Sequence, residues 1–347
     1  APTTYTWIGA TNDSWQLAAS WNPVRTSPDP TDILQFNGGG TITVTAVPTQ
    51  TIARLLVSNN TAITLQAAAA NTLTIAGGVG TDLLVDAGSQ LNISGTNALI
   101  LSLPTGATGS ISGSMTFAGG GHRLLSITAA GITFHTGAVF TTGSGFSGNA
   151  FGTTSLNSVI FSSGSTYILL VGSNPFGATA PSSVVVFQPG SLYIHRTSGA
   201  PSFSGRTYAN FEYDHSGTIS PSGTAAVSID NLKVTQGTLN FNMTKTPGHS
   251  IKGNIEVLPG AILSFSPTAT GTVNLNGTAL QTISGGGTIT AGVNSTLVMN
   301  NPAGVVLNMN AMRRHGGVFI SASTDPTIIL TLQQGEFYDL AEIVQLQ

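Results

Sequence analysis

The chain predicts an all-β protein: a single parallel β-helix, a right-handed β-solenoid of roughly a dozen coils, behind an N-terminal cap. Three observations predict it. A twelve-residue phrase recurs along the sequence. Charged residues are only 7% of the chain, against about 25% in an ordinary globular domain. Hydroxyl residues are abundant, with 48 Thr and 36 Ser among 347 residues. Hydrophobic residues still make up 40%, so this is not the low-hydrophobicity, high-charge composition of disorder.

The phrase is clearest in LLVDAGSQLNIS (83–94), VIFSSGSTYILL (159–170), LKVTQGTLNFNM (232–243) and IEVLPGAILSFS (255–266). Apolar residues stand five and three places before a glycine, and two more follow it two apart. LLVSNNTAITLQ (55–66) and ITAGVNSTLVMN (289–300) carry Asn60 and Asn294 in the glycine slot. Alternation of period two reads as a half-buried strand. Gly or Asn between two such runs supplies the positive φ of a tight corner. Anchors fall at Asn60, Gly88, Gly137, Gly164, Gly190, Gly237, Gly260 and Asn294, with weaker copies at Gly113, Gly217 and Gly277. Spacings of about 17–28 residues suit a solenoid coil and are too short for a propeller blade. Strands about 4.8 Å apart would make a rod on the order of 60 Å long.

Two segments are expected: a Trp- and Pro-rich cap over residues 1–40, and one continuous solenoid domain over 41–347. All three tryptophans, Trp7, Trp15 and Trp21, lie in the first segment, with Pro23, Pro28 and Pro30. Terminal turns of a solenoid are atypical because they cover the open end of the core. The run Tyr5-Thr6-Trp7-x-Gly9, Trp15, Ser20-Trp21-Asn22-Pro23 and Asp32-x-Leu34 resembles the opening module of large secreted β-solenoid proteins. These are bacterial, adhesin-like and autotransporter-passenger-like surface proteins common in Bacteroidota. The resemblance is specific over the opening segment and compositional beyond it. It implies a capped parallel β-helix, secretion and a place at the cell surface. Members of that family usually end in a C-terminal sorting domain for type IX secretion, to which the closing EFYDLAEIVQLQ does not correspond. The sequence begins at Ala1, and a cleaved signal peptide, which leaves a small residue at the junction, is the expected cause.

Composition also excludes several classes. Net charge is −3, with just three lysines, so no basic patch exists to neutralise nucleic-acid phosphates. No 18-residue apolar run could span a membrane as a helix. Cysteine is absent, which removes disulfide and thiolate chemistry.

The candidate chemistry is sparse. Glu212-Tyr213-Asp214-His215 puts two carboxylates on one strand face, suited to Ca²⁺ or to an acid/base pair in a polysaccharide-cleaving β-helix; a solvated outer face is the plainer reading. GGVGTDLLV (77–85) is one copy of the calcium nonapeptide, with Asp82 as its acid. A lone copy leaves an ion half-coordinated, and a glycine turn entering a strand explains it. The six histidines, His122, His135, His195, His215, His249 and His315, have no metal-ligand spacing. Arg313-Arg314-His315 is the densest basic spot. Thr41, Thr43 and Thr45 share a face, and an ice-binding surface would need that pair repeated turn after turn. Six Asn-x-Ser/Thr sequons, at Asn12, Asn59, Asn92, Asn242, Asn276 and Asn294, are expected by chance at this Ser/Thr content. No nucleophile elbow, P-loop or dinucleotide fingerprint occurs.

The expectation is therefore a protein without enzymatic activity, catalytic residues, metal or cofactor. It is secreted, structural or adhesive, and a self-assembling subunit of a surface fibre that stacks head to tail. Two features motivate stacking: nearly uncharged C-terminal segments, GGVFISAS (316–323) and PTIILTLQQ (326–334), and an N-terminal APTTYT free to add a strand to its neighbour. The expected partner is a second copy, with a glycan or cell-surface ligand beside it. The alternatives are a polysaccharide-binding or polysaccharide-cleaving β-helix, which requires acids and arginines to converge on one outer groove, and an adhesin fragment.

Overall fold

A computed structural model describes residues 2–244, 248–292, 294–314, 318–321 and 330–339. Its strands wind as a parallel β-solenoid of about 11 turns. Contacts group the chain into two compact units, Ala1–Ser191 and Leu192–Gln347. No described helix is long and apolar enough to cross a membrane.

In the first unit each turn contributes a strand to up to three parallel sheets. The first sheet takes Ile33–Phe36, Arg54–Val57, Leu83–Val85, Gly109–Ile111, Ile132–Phe134, Val159–Phe161 and Val185–Phe187. The second takes Gly40–Val44, Thr61–Leu65, Gln90–Ile93, Ser114–Phe117, Val139–Thr142 and Thr166–Leu169. The third takes Gln50–Ile52, Asn71–Ile75, Leu99–Leu103 and Arg123–Ser126.

The alternation explains the packing. Every second residue points inward, and the parallel register stacks like on like. Phe36, Val57, Val85, Ile111, Phe134, Phe161 and Phe187 form one column, and all are buried. Within it the Phe134 and Phe161 rings lie parallel with centroids 4.4 Å apart. Ile63, Leu91, Met115, Phe140 and Tyr167 form another. Each large apolar side chain so buried contributes about 1.5–3 kcal/mol, and this repeated term holds the turns together.

The recurring phrase is strand, corner, strand, as expected. Asn60, Gly88, Gly137, Gly164 and Gly190 adopt positive φ at the corner between the first and second sheets. They also join turns: Gly137 N–H donates to Gly164 O, and Gly164 N–H to Gly190 O, each at 2.9 Å. Gly113 occupies the same corner for a different reason. Its φ is not positive, but a β-carbon there would overlap the carbonyl oxygens of Ser89 and Asp86.

A second repeat follows the Arg123–Ser126 strand. Asn149-Ala150-Phe151-Gly152 and Asn174-Pro175-Phe176-Gly177 are stacked loops in successive turns. Asn149 Nδ2 donates to Asn174 O at 2.9 Å, and both glycines have positive φ.

In the second unit Leu192–His195, Thr207–Ile219 and Ser228–Asn240 pair in parallel. Later turns divide into shorter strands, such as His249–Ile251, Ile255–Val257 and Ile262–Phe265. Phe211, Leu232, Ile255 and Ile283 stack inside, as do Ile219, Leu239, Leu263 and Ile289. Gly217, Gly237 and Gly260 share one corner, because Thr218, Thr238 and Ile262 are in register. The spacing through Gly277 and Asn294 needs correction. Asn294 precedes Ser295, which pairs with Gly271, and Gly277 lies between Gly271–Leu275 and Gln281–Gly285. They mark two other corners of longer turns, so the 17-residue gaps are not coils.

Candidate functional site

The N-terminal segment is bonded to the first turn through its backbone. Thr4–Trp7 pairs in parallel with Ile33–Phe36 and antiparallel with Trp21–Asn22. Residues 11–15 run along Gly40–Val44 and beyond it: Asn12 N–H donates to Thr43 O at 2.7 Å, and Trp15 N–H to Thr45 O at 2.8 Å. The APTTYT segment expected to be free is therefore tied to its own chain from Thr3 onward, where Thr3 O accepts Ile33 N–H at 2.9 Å.

The tryptophans pack inward. Trp7, Trp15 and Trp21 are 4%, 1% and 1% exposed, and Trp21 stands edge-on to both others at 5.0 and 5.4 Å. Phe36 closes the cluster. Gly9 is required beside it, since a β-carbon there would collide with Ser20 and Trp7. With the rings this buried, no exposed tryptophan face is available for stacking on sugar.

Below the cluster lies a buried ion pair. Arg25 Nε donates to Asp32 Oδ2 at 2.8 Å, and the guanidinium carbon sits 5.7 Å from the Tyr5 ring centre and 5.9 Å from that of Trp21. Beside it opens a cleft of about 360 Å³, lined by Trp15, Gln16 and Ala18, by Arg25, Thr26 and Pro28, and by Pro48, Thr49 and Gln50. The last three residues lead into Gln50–Ile52, the edge strand of the third sheet. Sequence reasoning assigned Arg25 and Gln50 no role.

The Glu212–His215 run sits on the outer surface of the second unit, with Tyr213 turned inside and His215 half-buried. Tyr213 is fully buried and donates its hydroxyl to Gly217 O at 2.8 Å. Asp214 accepts from Arg196 at 2.7 Å and from Gln236 at 2.8 Å. Glu212 accepts from Thr235 Oγ1 at 2.5 Å. In the neighbouring row Lys233 lies 3.6 Å from Glu256. An amide ladder runs beside them: Asn231 Nδ2 donates to Asn210 Oδ1, and Asn254 N–H to Asn231 Oδ1, each at 2.7 Å. Arg206 is buried, with Nε 3.4 Å from Ser202 Oγ.

Asp82 is 2% exposed. Its Oδ1 accepts Gly78 N–H and its Oδ2 accepts Thr108 N–H, both at 2.7 Å. The carboxylate thus secures the corner of its own turn and the start of the next. No group of three metal-ligating side chains occurs among the described residues.

Two histidines share one plan. His122 Nδ1 accepts Leu99 N–H at 3.1 Å while Nε2 faces Ala118 O at 2.8 Å. His195 Nδ1 lies 3.0 Å from the Tyr193 hydroxyl and Nε2 2.6 Å from Gly199 O. Burial pushes His195 down to about 4, helped by the neighbouring His215, and holds His122 below its ordinary value. These are neutral core histidines. His249 also accepts on Nδ1, from Val227 N–H at 3.3 Å.

The paired threonine rows needed for ice binding do not form. Thr43 aligns with Thr64, Asn92, Thr116, Thr141 and Ile168, but Thr41 aligns with Ala62, Gln90, Ser114, Val139 and Thr166. His315 and most of residues 316–334 lie outside the described residues, as do the Arg313 and Arg314 side chains.

These features define a β-solenoid with a cleft in its first unit and a charged, amide-rich outer row in its second. No family model matches the chain, and neither a curated protein nor a solved structure shows similarity to it.

Proposed function

We propose that the chain is a non-enzymatic structural or adhesive protein of the bacterial surface type, acting outside the cell. One observation carries the reading: outward polar groups of the second unit bond from turn to turn. The Asn210–Asn231–Asn254 ladder and the Arg196–Asp214–Gln236 row are its best examples. Such ladders stiffen a surface without creating a reactive group. The resemblance of the opening segment to secreted surface solenoids supports the location, and residues 1–40 fit the role of cap.

In the finer version the protein is a subunit that stacks head to tail into a fibre. Its supports are the scarcity of charge and the edge strand Gln50–Ile52. Electron microscopy and sedimentation of the purified chain test it, and filaments are expected. Persistent monomers at high concentration under mild conditions remove the stacking version and leave the adhesive one.

A second reading is a polysaccharide-binding or polysaccharide-cleaving β-helix. It is favoured by Arg196 and Asp214 meeting at 2.7 Å on the face that also carries Glu212. Polysaccharide hydrolase or lyase activity that is lost in Glu212→Gln or Asp214→Asn would establish it and overturn the non-enzymatic reading.

A further inference from the structure

The cleft beside Arg25 has the makings of a ligand site. At about 360 Å³ it falls at the small end of the range for ligand pockets, which are mostly apolar with a few fixed polar groups. Its apolar wall comes from Ala18, Pro28 and Pro48.

The polar groups have defined orientations. Gln50 Oε1 accepts the Trp15 indole N–H at 2.8 Å. An indole nitrogen only donates, so the amide oxygen of Gln50 must face it, and the amide NH₂ is left as a donor. Gln16 is oriented the other way. Its Nε2 donates to Ala46 O at 3.3 Å, which leaves Oε1 as an acceptor on an exposed side chain.

Arg25 supplies the charge. It lines the cleft, whereas Asp32 does not, and none of the nine lining residues is acidic. The ion pair is therefore turned with its cationic end toward the cleft. Both bonding nitrogens address the same oxygen, Asp32 Oδ2. Nη2 is buried, and its contact with Asp32 lacks hydrogen-bond geometry. Arg25 thus forms a cationic part of the cleft wall through its groups other than Nη2, and a guanidinium there favours an anionic acceptor.

We propose that this cleft binds an anionic sugar: a monosaccharide unit whose carboxylate or sulfate meets Arg25 and Gln50 Nε2. Its ring lies on Pro28, Pro48 and Ala18, and a ring hydroxyl donates to Gln16 Oε1. The site lies in the first unit and the Arg196–Asp214 row in the second.

Galacturonate, galactose 6-sulfate and galactose titrated separately into the full-length chain test the assignment. Calorimetry reads affinity, and tryptophan emission reads proximity because Trp15 lines the cleft. Saturable binding of one or both anionic sugars is expected, at least about tenfold tighter than galactose, and the preferred sugar identifies the anionic group. Gln50→Glu keeps an acceptor for Trp15 but replaces the NH₂ donor with negative charge. It should weaken binding at least about tenfold. Ala18→Leu fills the cleft without touching its polar groups and should abolish binding while the far-ultraviolet spectrum is retained. The proposal is overturned if all three sugars bind alike, if none binds, if acetate competes as well as the sugar, or if neither variant changes affinity.

Discussion

Arg25 Nη2 lies 2.8 Å from Asp32 Oδ2, and the two side chains keep only 2% and 3% of their surface exposed. Asp32 also accepts the N–H of Asp29 at 2.9 Å, and its carbonyl accepts Ala53 N–H at 2.9 Å. One acid thus anchors the cation, the proline-rich stretch and the next turn. Removing either partner strands a buried charge, so Arg25→Met and Asp32→Leu should each cost about 3–5 kcal/mol. The double variant should cost clearly less than the sum. Urea unfolding of the four proteins checks this, and strictly additive losses would show that the pair is not coupled.

Two glycine corners should respond differently to substitution. Gly137 has φ +85° and open space where a β-carbon would stand. Asn tolerates that conformation, so Gly137→Asn should cost less than about 1 kcal/mol. Gly237 has φ +67°, and a β-carbon there would overlap the carbonyl oxygens of His215 and Gly217. Strain and overlap combine, and Gly237→Ala should cost more than about 2 kcal/mol. Thermal melts of the two variants side by side provide the comparison.

Stability should fall in mild acid. His195 titrates near 4 when folded and near 6.5 when unfolded, so the fold favours the neutral ring. Its contribution is complete above pH 6.5 and is lost as pH falls from 6.5 toward 4. The loss across that window is on the order of 3 kcal/mol. Replacing the ring with one that cannot be protonated, in His195→Phe, should flatten the Tm-against-pH curve over this window while lowering Tm at neutral pH. An unchanged slope would assign the acid sensitivity elsewhere, with His122 next in order.

Asp82 holds the corner through the N–H groups of Gly78 and Thr108. Asp82→Ala removes charged acceptors from two backbone N–H groups, and a loss of about 2–3 kcal/mol is expected. Calcium and chelator should both leave the wild-type Tm unchanged. A rise of several degrees with calcium would reinstate the nonapeptide reading.

The strands were legible because inward packing on a parallel sheet forces alternation, and corners such as Gly88 and Gly164 interrupt it with one residue type. Gly277 and Asn294 misled because corners at different positions around a turn look alike in sequence. The Asn149 and Asn174 loops stayed hidden because they stack without alternating. The same-face placement of Glu212 and Asp214 was readable, but their partners Thr235 and Gln236 lie more than twenty residues away and meet them only through register. The cleft was illegible for that reason. Trp15, Arg25 and Gln50 converge because one turn ends where the next begins, and no local pattern marks that.

Corner length varies while the inner columns hold. Neighbouring turns are offset by as few as 18 residues, at Leu192 and Asn210, and as many as 28, at Leu55 and Leu83. A gene encoding such a chain can gain or lose several codons at a bend and leave every strand's facing unchanged. One codon inserted within a strand would invert it. Descendants should therefore differ mainly in how far their bends protrude, and duplication of a whole turn would lengthen the protein without a new core having to be invented.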